Sequence, residues 1–205
     1  EGESLHTLFS YFDLMGLPWK KLDEDCFDEV VIGDDAFAFA NTHQRFYERM
    51  SARFPKEREG LKVYVNFLKQ VGDHIFGVFS EGESKYGTYS LLSRSAYEFL
   101  NETIHDPQLR KVLSGTSLKM ELNAPTLPLY TFAQINDSFI RSAWRLRGGG
   151  LQIADKLVEG IQSMGGEVRT RAAVTSIREE NGRVIGVNVN GEEYLEADWV
   201  ISSVH

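Results

Sequence analysis

From Leu61 onward the apolar residues Leu61, Tyr64, Leu68, Val71, Ile75 and Phe79 recur every three or four positions, the spacing of one face of an α-helix. A stripe of this kind usually packs inward. The alternative, a face that dips into a membrane surface, lacks the cationic flank of an interfacial helix, so a core-facing helix is the expectation. Leu5, Leu8, Phe9 and Phe12 repeat the spacing ahead of the breaker pair Leu17-Pro18, which predicts a short helix over 5–14. Further helices are predicted at 96–100, at 107–113 and around Phe139, with Pro125 and Pro128 separating the last two.

Strand patterns flank this helical stretch. Glu29–Ile32 and Phe37–Ala40 enclose Gly33-Asp34-Asp35, a β-hairpin around a turn. From Gly148 the pattern alternates helix and strand. Ile153, Leu157 and Ile161 mark a helix closed by Gly165-Gly166, glycine being the usual residue at a helix C-terminus. Strands are predicted at 167–170, 174–177, 184–189, 194–197 and 199–203. Asn181-Gly182 and Asn190-Gly191 are strong hairpin signals, so 174–197 reads as a three-stranded meander. The fold class expected is α+β, with a helix-rich domain and a small, mostly antiparallel sheet over 1–143, then a helix and meander over 144–205.

Composition narrows the function classes. The 205 residues are 42% hydrophobic and 12% aromatic, enough for a sizeable core in one or two domains. A formal net charge of -8 gives no electrostatic footprint for a phosphate backbone, so no nucleic-acid partner is expected. A single cysteine, Cys26, excludes an internal disulfide or a cysteine-based zinc site. No apolar run reaches the roughly 18 residues of a membrane span, and no leader opens the chain. A cytoplasmic setting is expected. A start at Glu1 and an end just after a predicted strand suggest an internal piece of a longer protein.

Familiar catalytic signatures are missing. His6, His43, His74, His105 and His205 form no HxH or HExxH arrangement, so no metal site is expected. Gly77–Ser84 has phosphate-loop spacing, but Glu83 stands where the lysine must be. No GxSxG elbow occurs. The triplet Gly148-Gly149-Gly150 resembles the opening of a dinucleotide fingerprint, yet Ile153 occupies the third glycine position and Trp144–Arg147 is no buried strand. On its own the triplet reads as a loop before a helix.

A longer string carries more information. Arg147-Gly148-Gly149-Gly150-Leu151-Gln152-Ile153-Ala154, Gly165-Gly166, Val174-x-x-Ile177, Gly182-Arg183-Val184-Ile185-Gly186-Val187, Asn190-Gly191-Glu192 and Ala197-Asp198-Trp199-Val200-Ile201-Ser202 occur in that order. This string resembles the flavin amine-oxidase and phytoene-desaturase superfamily, within it the phytoene desaturase, retinol saturase and carotenoid isomerase branch. Gly2–Phe12, which resembles a segment of bacterial members, and Ser95–Leu100 followed by Asp106–Arg110 are similar to that branch too, more loosely.

The resemblance implies FAD as cofactor, with the backbone of Val174 at the adenine edge and the double glycine Gly148-Gly149 before the helix as cofactor-binding residues. Residues 144–205 are then an incomplete FAD-binding, Rossmann-like domain without its pyrophosphate loop. Weak or absent FAD binding by the 205 residues alone is expected. Residues 1–143 become a substrate domain for a polyene or similar apolar molecule, with peripheral membrane association compatible. Trp144, Arg145 and Arg147 fall where relatives carry a Tyr-Pro stretch lining the substrate. Arg145 replaces the tyrosine and Leu146 the proline, and arginines beside a tryptophan suit a polar substrate end or a ring. In such enzymes the flavin exchanges the hydride while the protein binds and orients, which accounts for the absence of an acid-base pair; catalytic residues stay unassigned. Two rivals share parts of the pattern. One is an amine-oxidase-like flavoenzyme, the other a non-catalytic module binding an apolar ligand.

Overall fold

The computed structural model describes residues 4–73, 88–120 and 126–203. Ile75, Phe79, Pro125, His74, His205 and the Gly77–Ser84 motif lie outside them. The chain forms two compact units, Glu1–Gln152 and Ile153–His205. The sequence reading draws its boundary earlier, between 143 and 144.

The first unit opens with helix α1 (Ser4–Tyr11) and strand β1 (Trp19–Lys21), followed by the hairpin β2 (Asp28–Ile32) and β3 (Asp35–Phe39). Helices α2 (His43–Arg53), α3 (Arg58–Gly72), α4 (Thr88–Ser93), α5 (Ala96–Thr103), α6 (Pro107–Leu113) and α7 (Leu129–Arg141) come next, and strand β4 (Trp144–Leu146) closes the series. β2 pairs β3 antiparallel, with Val30 opposite Phe37. Gly33 has φ 62 at the first central position of the turn, which glycine adopts without strain.

Short polar side chains start the helices. The Thr42 hydroxyl accepts from the Arg45 N–H at α2, Ser95 accepts from Tyr97 at α5, and Asp106 accepts from Gln108 and Leu109 at α6. Each satisfies a backbone donor that the first helical turn leaves open. Pro107 at the first position of α6 needs no donor there.

The core lies where α3 and α7 face each other. Leu61, Tyr64, Leu68 and Val71 of the sequence stripe are all buried, so this stretch of it packs inward. Leu129, Phe132, Ala133 and Ile140 oppose it from α7. Tyr64 contacts the rings of Phe46, Phe99 and Phe132 at centroid distances of 6.3, 6.4 and 6.4 Å. Burial pushes its phenol well above the ordinary range, which keeps it neutral in the core. Phe37 and Phe39 point from β3 into the same cluster, as strand alternation requires.

The second unit contains most of helix α8 (Leu151–Ser163) and a meander of β5 (Val174–Glu180), β6 (Arg183–Val189) and β7 (Glu193–Glu196) in the order β5-β6-β7. Both hairpin turns have positive φ at two successive residues, 51 and 76 at Asn181-Gly182 and 53 and 78 at Asn190-Gly191, the signature of type I′. α8 ends where Gly165 adopts φ 86 and the Gly166 N–H donates to Ile161 O at 2.9 Å. Every paired strand among the described residues is antiparallel, and the α+β class holds.

Two predicted strands do not form. Glu167–Thr170 and Trp199–Ser203 are irregular. A strand exists only through a neighbour's hydrogen bonds, and neither segment has one among the described residues. Arg169 instead binds Glu167 and Glu193 at 2.6 and 2.7 Å, and Trp199 and Ile201 are 89% and 99% exposed.

Candidate functional site

The segment that carries Trp144, Arg145 and Arg147 is strand β4, and its partner is β1. The register places Trp19 opposite Leu146, Lys20 opposite Arg145 and Lys21 opposite Trp144. The Arg147 N–H donates to Pro18 O at 3.1 Å and extends the ladder by one step. Side chains alternate between faces of such a ribbon. Lys20, Arg145 and Arg147 therefore share one face, and all three are exposed. Trp19, Lys21, Trp144 and Leu146 share the other. There Leu146 is buried and Trp19 stacks on Phe9 at 5.1 Å, with the Trp19 indole N–H donating to Leu14 O.

The three residues expected to line a substrate thus divide. Arg145 and Arg147 stand together, while Trp144 lies on the opposite face, its indole N–H donating to the Ser142 hydroxyl at 3.0 Å. Lys20 joins the two arginines, and sequence reasoning missed it. Pairing of a short strand with one near the far end of the unit leaves no local trace.

Gly148 and Gly149 form the turn after β4, with φ of 88 and 99. Both conformations disfavour any other residue. Among the described residues no heavy atom would meet a Cβ on Gly149, so on that side its backbone is open to close approach. The Gln152 amide donates to the carbonyls of Arg147 and Gly149 at 2.7 and 2.8 Å, which fixes the shape of the turn.

In the second unit, Val174 opens β5, an outer strand of the meander. The Asn190 N–H donates to Ala173 O at 2.8 Å, and the Asn190 side-chain oxygen accepts from the Ala173 N–H at 3.0 Å. Antiparallel pairs alternate between bonded and non-bonded kinds. With 173 and 190 bonded, the next pair, Val174 and Val189, is of the other kind. This turns the N–H and C=O of Val174 away from β6 to the outer edge, which pairs with no strand among the described residues. An adjacent donor and acceptor on one exposed edge match a heteroaromatic ring that offers the complementary pair.

A polar network ties the helices of the first unit. The His43 Nε2–H donates to Asp137 Oδ1 at 2.6 Å, and the Arg141 Nε–H donates to Asp137 Oδ2 at 2.5 Å. Arg141 also donates to Asp73, which accepts from Lys69 at 2.7 Å. Asp137 is 1% exposed, and the Arg141 guanidinium and the His43 ring N–H at short range offset its burial. The Lys69 hydrogen bond, and then that of Arg141, hold the Asp73 carboxyl below the usual range. The network links the start of α2, the end of α3 and the last turns of α7. His43 is the one histidine of this network, and no group of three or more metal-binding side chains occurs among the described residues. No helix among them is long and apolar enough to cross a membrane.

Comparison with known proteins adds the family context. The model of the flavin containing amine oxidoreductase family matches residues 34–205. An all-trans-retinol 13,14-reductase of Danio rerio is 29% identical over 91% of this chain and 34% of its own length. The rat enzyme of the same name is 25% identical over 82% of this chain and 31% of its own length. A chloroplastic prolycopene isomerase of Daucus carota is 25% identical over 78% of this chain and 29% of its own length. The chain thus spans about a third of the length of these curated relatives.

Proposed function

Because the chain belongs to the flavin containing amine oxidoreductase family, we propose that it is the substrate domain and adenine-side meander of an FAD-dependent oxidoreductase acting on a polyene or similar apolar molecule. The observation that carries this reading is the kinship to a retinol reductase and a prolycopene isomerase, whose names both specify chemistry on conjugated C–C double bonds. FAD, when bound, supplies hydride transfer to or from such a substrate. The chain's own residues bind and position. Val174 offers its N–H and C=O to the adenine edge, a role that a valine can fill because the main chain does the recognising. Gly148 and Gly149 let the backbone approach the cofactor. The Arg145 and Arg147 side of the β1–β4 ribbon faces the substrate.

The residues present suit the cofactor. The outward-turned donor and acceptor at Val174 and the open turn at Gly149 are what contact with a nucleotide requires. An apolar substrate needs a protein that excludes water from the reacting bond, and the helical unit has the aromatic content to do so.

The test is spectroscopic. The full-length protein purifies yellow with a flavin absorbance, and a conjugated polyene changes the redox state of that flavin, whereas simple amines do not. A colourless protein overturns the reading. Flavin reduction by amines but not polyenes assigns the chain to the amine-oxidising branch.

A further inference from the structure

The β1–β4 ribbon presents three cations on one face in a chain whose formal net charge is -8. Elsewhere some cations pair with carboxylates, as Arg45 does with Glu24, Arg53 with Asp35, Lys69 with Asp73 and Arg169 with Glu193, while Lys62 and Lys111 stand without such a partner among the described residues. Lys20, Arg145 and Arg147 have no ion-pair partner among the described residues. Lys20 stands directly opposite Arg145. Like charges in that position destabilise a strand pair, so the ribbon carries a local cost that an anion between the two side chains removes.

Guanidinium groups present paired N–H donors in a plane that matches a carboxylate or phosphate, and the lysine adds a point charge. The opposite face of the ribbon is apolar through Trp19 and Leu146, and α1 reaches it by the stack of Phe9 on Trp19. α1 and the residues after it expose Leu5, Leu8, Phe12 and Met15 at 58, 48, 46 and 42%. Three cations on the face opposite to this apolar side match an oxyanion, and the apolar remainder of the ligand follows from the polyene reading. We propose that Lys20, Arg145 and Arg147 hold the oxyanion end, a carboxylate or a phosphate, of an otherwise apolar substrate. This rests on the reading of the chain as part of a polyene-acting enzyme, and adds to it that the substrate is anionic at one end.

The experiment compares three probes with one polyene chain, retinoic acid, retinyl phosphate and retinol, binding to the full-length protein, by quenching of tryptophan fluorescence. One or both anionic probes bind about tenfold or more tighter than retinol, the size expected for a charge-assisted contact, and the tighter of the two identifies the oxyanion. The triple variant K20Q/R145Q/R147Q loses that preference, its affinities for the anionic probes falling to or below that for retinol. Should the triple variant fail to fold, Lys20→Gln alone, which relieves the like-charge pair, must still weaken binding of the anionic probe. Equal affinity for all three probes, or a preference that survives the triple variant, overturns the proposal and leaves the polyene reading standing. Failure of every probe to bind overturns both. If the three cations instead govern binding to phosphatidylserine vesicles, with no preference among the polyenes, the ribbon is a membrane contact and the proposal fails.

Discussion

Asp137 on α7 fills the space beside the Cα of Gly72 on α3 that the Cβ of any other residue would occupy. The carboxylate cannot step aside, because His43 and Arg141 hold its two oxygens. Gly72→Ala therefore forces the helices apart or breaks the network. Overpacking a tight core costs about 1–3 kcal/mol, and displacing a buried charge from its partners adds to that. Urea denaturation will show a lowered midpoint with the slope retained.

Asp73 gives the same network a pH dependence. Its pKa is depressed in the folded chain by Lys69 and then Arg141. A depressed carboxyl contributes stability that is fully present above its unfolded pKa, roughly 3.9, and is lost as pH falls through the lower folded value. The difference in melting temperature between the wild type and Asp73→Asn should be constant near neutrality and close below about pH 4. A difference that persists unchanged at low pH contradicts this account.

At the ribbon, Lys20→Glu replaces a like-charge pair with an opposite one across the strands from Arg145. Cross-strand pairs of opposite charge contribute roughly 0.2–1 kcal/mol. The variant should be slightly more stable than the wild type by thermal denaturation while losing affinity for an anionic ligand. Stability and binding moving in opposite directions distinguishes a binding role from a structural one.

Gly186 in β6 is packed under the Tyr194 ring and the Leu195 carbonyl of β7. The Tyr194 hydroxyl donates to Ile185 O at 2.7 Å, which fixes the ring over the glycine. Gly186→Ala pushes β7 away. Circular dichroism should register lost strand content, and Gly182→Ala, where nothing lies near a Cβ, should cost only the strain of its φ of 76.

Features set by neighbouring residues were legible in the sequence. The Asn181-Gly182 and Asn190-Gly191 turns adopt the positive φ that their residues favour, and the α3 stripe buries Leu61, Tyr64, Leu68 and Val71 as its period demands. Features that need a distant partner were not. Val168 and Ile201 lie in segments with strand-like composition but no pairing neighbour among the described residues. Lys20 became a candidate only once its register with Arg145 was known, and His43 meets Asp137 across 94 positions. The sequence likewise groups Trp144 with Arg145 and Arg147, and only the pairing of 144–146 with 19–21 makes them a strand whose consecutive residues point to opposite sides.

The meander and α8 conceal little of their own surface. α8 has no buried residue, and β5 is exposed along its whole length. Backbone amides are protected from exchange with solvent deuterium in proportion to the free energy of the opening that exposes them. Such openings cost little where few side chains must leave a packed interior. Amides of β5 should therefore exchange orders of magnitude faster than those of α3, whose opening requires Tyr64 and Leu68 to leave the core. Hydrogen exchange read residue by residue would then show two tiers of protection in one chain.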